Sequence, residues 1–470
     1  MALFRGTGEA GFATQVLAAL FAPDVLAVVR ETVMMAGLAT ALALALGLPL
    51  GILAGRVATP WIKALLAVPF VLPTAAAGVG WLALGVPFGA PTVVLALAAY
   101  NVPWVALAVA RAREQVPVIQ HDVLATLGAE PWARFVWSTW PAVRGAWTGA
   151  ALQSFGYCVM GYGLVVLLGG GPPVETLEVT LAQTLRSAGG QSLPAAAASG
   201  IWQMILGGVP WILASRWVSG GRLLAREAGA ATGRQTAAAW ERWIALAGAL
   251  LLLSPLAGLL PRIWGGVSIF SDSTLWPQLR AALGVSAELS LGAGACALAV
   301  AGLAVAADAG PVLSLALTIP AGISVMVLGL GLWMAYGRWV DPFEGSAPAI
   351  IVLEAALLVP LAYRSLQALR GGFAEARYAA LRTLGAGAFR AWWISEWPRW
   401  RAPVLGLFGI LVALALGEVS AISLFYSEKL VNVPLLVMRW SAQHRIGEAR
   451  DLAAILALAC AALASGAAWI

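Results

Sequence analysis

Three acidic residues sit inside long apolar runs of this sequence: Glu288, Glu354 and Glu418. A carboxylate at bilayer depth is expensive, so each either lines a path for a cation, pairs with an arginine, caps a helix or lies near the surface. Tyr100, Tyr157 and Tyr162 offer ring faces on which a heteroaromatic cation could stack, or else packing between helices. Gln153 and Gln203 read as hydrogen-bonding groups between helices. The candidate path is Glu354, Glu418, Tyr157, Tyr162 and Gln153; Glu288 stands near the start of its run.

Other chemistry is missing. The lysines are Lys63 and Lys429, and neither follows a glycine, so a G-x-x-x-x-G-K-[ST] phosphate loop cannot be written. There is no paired-Asp metal motif, no H-E-x-x-H and no G-x-S-x-G. His121 and His444 are isolated, and Cys158, Cys296 and Cys460 lie in apolar runs without disulfide or metal spacing. An enzymatic reading therefore has no catalytic group, and no cofactor or metal is expected on this chain.

The elements that carry these residues follow from composition. The chain has 470 residues, of which 61% are hydrophobic and 11% charged, with a mean hydropathy of +0.87. No water-soluble fold has that balance, and apolar runs of about 20 residues without alternation point to an all-α, polytopic membrane protein rather than a barrel. Candidate spans lie near 32–55, 61–84, 91–112, 146–168, 194–215, 242–262, 282–307, 310–335, 347–367, 403–425 and 451–470, about 11 transmembrane helices. Gly is abundant, at 52 residues, which suits close helix packing in lipid. The net charge of +6 is spread over loops and is no nucleic-acid signal.

One polar, basic stretch occurs twice. Leu124-Ala-Thr-Leu-Gly128-Ala129, closing on Trp140-Pro141, returns as Leu381-Arg-Thr-Leu-Gly385-Ala386, closing on Trp397-Pro398. A constant offset of about 257 positions also pairs Pro103 with Pro360 and Arg144 with Arg401, so the chain is a tandem duplication. An amphipathic helix, a mid-loop Gly and a Pro at re-entry suit docking into a partner's groove, or an interfacial helix lying on headgroups; occurrence in both halves favours a paired docking site.

These loops resemble the coupling loop of ABC-importer permeases, in which Glu-Ala-Ala precedes a Gly and a later Leu-Pro. Gly128 to Pro141 and Gly385 to Pro398 keep the family's spacing. The family Glu falls on Asp122 in the first copy and on Ala379 in the second, and the Leu before Pro is Trp140 and Trp397. Within the family, Gly169-Gly-Gly-Pro172, Pro360-Leu-Ala-Tyr363-Arg and Gly417-Glu418-Val-Ser-Ala-Ile-Ser resemble the thiamine and iron(III) types, thiamine favoured.

The resemblance implies a fused two-half permease of the bacterial cytoplasmic (inner) membrane. It implies a homodimeric ABC ATPase on the cytoplasmic side, holding ATP and magnesium, and a periplasmic or lipid-anchored substrate-binding protein outside. Besides membrane lipid it implies no further partner, and no nucleic acid. The alternatives are an iron(III) permease and, from another class, a secondary transporter or membrane-embedded enzyme.

The expected organisation is an extracytoplasmic or interfacial segment 1–30, broken at Pro23-Asp24, and a first repeat 31–216 with its coupling loop near 113–144. A cytoplasmic linker 217–241 and a second repeat 242–470 with its loop near 368–401 follow. Placing both loops inside puts most of the Lys and Arg there, in line with the positive-inside bias, and puts the N-terminus outside. Permeases of the resembled family normally begin inside, with one more span. The Glu175–Thr180 stretch after the fourth span is expected outside, where a delivery protein could meet it.

Overall fold

The computed structural model describes residues 9–57, 60–116, 118–171, 174–187, 193–227, 238–265, 269, 273–337, 346–370, 375–425, 427–428 and 430–466. Most of the expected linker 217–241, Pro172, Pro173 and the last four residues lie outside them or lack described side chains. Every named element is helical; the one extended pairing among the described residues is an isolated bridge between Ser427 and Leu430.

Among the described residues six helices are long and apolar enough to cross a membrane: Pro23–Arg56, Ala90–Glu114, Leu193–Ala214, Trp276–Ala306, Ala347–Arg370 and Trp397–Leu424. Four helix pairs are each bent at a short break, as a broken span or a re-entrant loop: Trp61–Val71 with Thr74–Ala83, Pro131–Val159 with Gly163–Gly169, Ala239–Leu252 with Ser254–Leu260, and Pro311–Gly322 with Val325–Tyr336. Among the described residues this gives six to ten candidate spans, and the expected span 451–470 corresponds to helix Ile446–Gly466. The chain breaks where expected: helix Glu9–Leu20 ends, and Phe21 and Ala22 separate it from Pro23-Asp24. Proline at the first turn has no amide to lose, and it opens the 34-residue helix Pro23–Arg56, which runs through position 30.

The chain forms two compact units. The first comprises Met1–Phe70, Ala77–Gly266 and Gly322–Leu330; the second comprises Val71–Ala76, Val267–Ala321 and Gly331–Ile470. Each unit thus takes in a short piece of chain from the bend of a broken span in the other repeat.

In the first unit, helix Pro23–Arg56 packs along Ala90–Glu114 through Gly47, Gly51 and Gly55, one residue per turn. A Cβ at Gly47 would come within 2.6 Å of Val105 Cβ, and one at Gly51 within 2.6 Å of the Ala106 carbonyl. In lipid there is little hydrophobic force between helices, so such close backbone approach supplies the attraction by dispersion. Arg56 pairs with the buried Glu241 at 2.6 Å, and the other Glu241 oxygen accepts from the Ala238 amide, fixing the start of Ala239–Leu252. In the second unit, Ala293, Ala297 and Ala301 form a fully buried stripe in the core shared with Ala355, Ala362, Leu411 and Ala415. Large apolar side chains such as Leu38, Leu46, Leu95, Leu251, Leu303 and Val312 remain exposed on the spans, which suits a lipid surround.

Candidate functional site

The repeated loops begin alike. The first begins with helix Val118–Thr126 and the second with Glu375–Thr383, at the same offset as the sequence motif. Each helix ends on a glycine in the left-handed region, Gly128 at φ 77° and Gly385 at φ 84°. The Ala129 amide donates to the Leu124 carbonyl at 2.9 Å, and the Ala386 amide to Leu381 at 3.0 Å. These are Schellman closures, in which the glycine reverses the chain and satisfies helix-end carbonyls. Thr126 and Thr383 each donate a side-chain hydroxyl to the carbonyl three residues back, at 2.8 Å in both.

A second short helical stretch follows each glycine, and Trp140-Pro141 and Trp397-Pro398 then open the spans Trp140–Val159 and Trp397–Leu416. The copies diverge between these points. The first has a π-helical turn, Phe135–Thr139, whereas the second has an α-helix, Ala388–Ser395, closed by the buried Glu396.

The outer surface of both loops is apolar and exposed. Leu127 is 76% exposed, Leu384 83%, and Trp132, Trp137 and Phe389 each more than 70%. Asp122 is exposed in the first copy, and Ala379 occupies its place in the second. The tryptophans pack on their own loop: Trp132 stacks with Phe135, and Trp393 with Trp397 at 5.0 Å.

The residues expected to line a path fall into two groups. In the first unit, Trp104 donates its indole N–H to Gln153 Oε1 at 3.1 Å. The same indole meets Tyr157 edge-on at 5.9 Å and stacks on Phe70 at 5.8 Å. Tyr100, one turn before Trp104, meets Trp81 edge-on at 6.4 Å. Tyr162 is buried at the start of Gly163–Gly169.

In the second unit, Glu354 is 1% exposed, and neither of its carboxyl oxygens has a hydrogen-bond partner among the described residues. Its electrostatic neighbour is Glu418, whose Oε1 accepts from the Ser420 amide at 2.6 Å. The Asn432 amide group donates to the Glu418 carbonyl at 3.0 Å and caps helix Val433–Ala442. Glu288 is exposed on the surface of Trp276–Ala306, away from such a pairing.

Sequence reasoning missed Glu178. Its neighbours read as an outer loop, yet it is buried on helix Leu177–Ser187 and hydrogen-bonded to Gln203 and Ser324. Among the described residues no cluster of three or more His, Cys, Asp or Glu could hold a metal ion, and the three cysteines are free.

No family model matches the sequence. Among curated proteins, the thiamine transport system permease protein ThiP of Brucella abortus is 26% identical over 386 residues, 80% of this chain and 70% of its own. The protein of the same name from Haemophilus influenzae is 24% identical over 438 residues, covering 86% and 80% of the two chains. The chain is homologous to the two-half ABC-importer permeases of this type. A shorter match, 30% identical over 137 residues, is to the molybdenum transport system permease protein ModB of Azotobacter vinelandii, covering 26% of this chain and 61% of that one. The permease is thus the non-catalytic, membrane-spanning subunit of an ABC importer, all-helical and multi-pass in the bacterial inner membrane.

Proposed function

We propose that this permease carries thiamine, or a thiamine phosphate, inward by alternating access, driven by a separate ATPase dimer that grips the two repeated loops. The duplicated loop carries the reading: two rigid Schellman turns at one offset, each presenting exposed leucine and aromatic side chains. A short amphipathic helix held that firmly acts as a lever, passing movement of its groove-bearing partner into the packed spans behind it. On this reading Asp122, Leu124, Gly128, Ala129, Trp140 and Pro141 serve one ATPase copy, and Ala379, Leu381, Gly385, Ala386, Trp397 and Pro398 the other. ATP and magnesium stay on the ATPase, and a binding protein delivers substrate outside.

Thiamine fits the interior chemistry. It is a heteroaromatic cation, and the first unit offers the Phe70, Trp104 and Tyr157 rings with Gln153 beside them. Ring faces attract such a cation by about 0.5–2 kcal/mol each, more where water is excluded. Within the second unit, taken by itself, Glu354 and Glu418 are neighbouring carboxyl groups. The names of the curated relatives support the same substrate.

The test is uptake of labelled thiamine into vesicles holding this chain with its ATPase and binding protein. ATP-dependent uptake, competed by unlabelled thiamine and not by ferric ion, is the expected result. Stimulated ATP hydrolysis without thiamine uptake would reject the substrate and send the search to ferric ion, with the permease role retained.

A further inference from the structure

Helix breaks at membrane depth free backbone groups that need partners, because lipid offers none. Two breaks in the first unit are served by one side-chain chain. At the bend between Trp140–Val159 and Gly163–Gly169, the Val159 carbonyl accepts from Gln203 Nε2 at 3.0 Å. The same nitrogen donates to Glu178 Oε2 at 2.6 Å. Glu178 also accepts from Ser324 Oγ, at 2.6 and 2.7 Å to its two oxygens. Ser324 stands at the bend between Pro311–Gly322 and Val325–Tyr336, where its Oγ accepts from the Met326 amide at 3.0 Å. Gln203, Glu178 and Ser324 are each buried to 96% or more. Gly207 and Gly322 add close backbone approach, since a Cβ at Gly207 would lie 3.1 Å from the Gly322 carbonyl.

We propose that Gln203–Glu178–Ser324 is a coupling bridge that makes the two bends, one from each sequence repeat, move as one body during transport. Glu178 is its positioning residue. A carboxyl group is needed at the centre because both neighbours donate to it; an amide would turn an N–H toward one of them. The bridge is not repeated at the offset, where Glu178 corresponds to Leu435. The inference rests on the alternating-access reading above.

The experiment compares wild type, Glu178→Gln, Ser324→Ala, Ser324→Thr and the Glu178→Gln/Ser324→Ala double variant, each reconstituted with the ATPase and binding protein. Thiamine carried per ATP hydrolysed, ATPase rate and melting temperature are all read. Expected is a fall of about fivefold or more in thiamine per ATP for each of Glu178→Gln and Ser324→Ala, and none for Ser324→Thr, which keeps the hydroxyl. The double variant falls no further than the worse single one, as for partners in one network. Melting temperatures stay within a few degrees of wild type.

The bridge is overturned by wild-type coupling in either single variant, by losses that multiply, or by losses that track unfolding. Should the wild type carry no thiamine, the substrate reading fails separately. The ratio of stimulated to basal ATPase rate then reads the bridge with the same expected pattern, and an unchanged ratio in Glu178→Gln overturns it.

Discussion

Gly128 and Gly385 have room around them: no atom lies within 4 Å of where a Cβ would be. Their requirement is therefore set by backbone alone, at φ 77° and 84°. A left-handed backbone costs an L-residue about 1–2 kcal/mol. Gly128→Val and Gly385→Val should leave membrane insertion intact, and lower stimulated ATPase activity and transport together; Asn at either site should do less harm. A secondary transporter without an ATPase would be indifferent to all four changes. Glu354 points the other way. Burying an unpaired carboxylate costs stability, so Glu354→Gln should melt no lower than wild type and yet carry a cationic substrate several-fold more slowly. Thermal melts and uptake assays on the same preparation separate the two effects. The loop glycines were legible because a repeated Gly at one offset has a backbone reason. Glu178 was not: it stands among turn residues, and Ser324, its partner, is 146 positions away.

At the scale of elements, the spans were legible and their bends were not. Hydropathy marks how much of a helix is apolar, and it is the same on both sides of a bend such as Val71–Thr74, so it carries no sign of the 96° turn there. What marks the bends is close packing and local capping. Gly80 and Gly258 cross back to back: a Cβ on Gly258 would strike the Gly80 carbonyl, and one on Gly80 would strike the Pro255 carbonyl. Trp81 donates to Ser254 Oγ at the same crossing, at 3.3 Å. Overpacking of this kind costs about 1–3 kcal/mol or more. Gly80→Ala and Gly258→Ala should each lower the melting temperature of the purified permease, and by more than Gly302→Ala, whose Cβ would meet nothing within 4 Å. Asn432→Ala removes a helix cap, worth about 1 kcal/mol, along with the hydrogen bond to the Glu418 carbonyl.

At the scale of the whole molecule, the duplication is kept in element boundaries and lost in chemistry. Helices Trp140–Val159 and Trp397–Leu416 share bounds at the repeat offset, as do Val118–Thr126 and Glu375–Thr383. Yet Glu354 corresponds to the buried Leu97, and Asp122 to Ala379. On the proposed function both loops face the cytoplasm, the side that the positive-inside bias favours. Cysteines placed at Thr126 and Thr383 should therefore both react with a membrane-impermeant thiol reagent in inside-out vesicles and stay silent in right-side-out ones. The loops also hold an optical property. Trp132, Trp137, Trp392, Trp393 and Trp397 are crowded into two short surface segments, and the stacked Trp393–Trp397 pair is close enough for its ring transitions to mix. Indole emission and near-ultraviolet circular dichroism of the unlabelled protein should thus shift when a partner covers these surfaces, so the permease brings its own fluorescent gauge of docking.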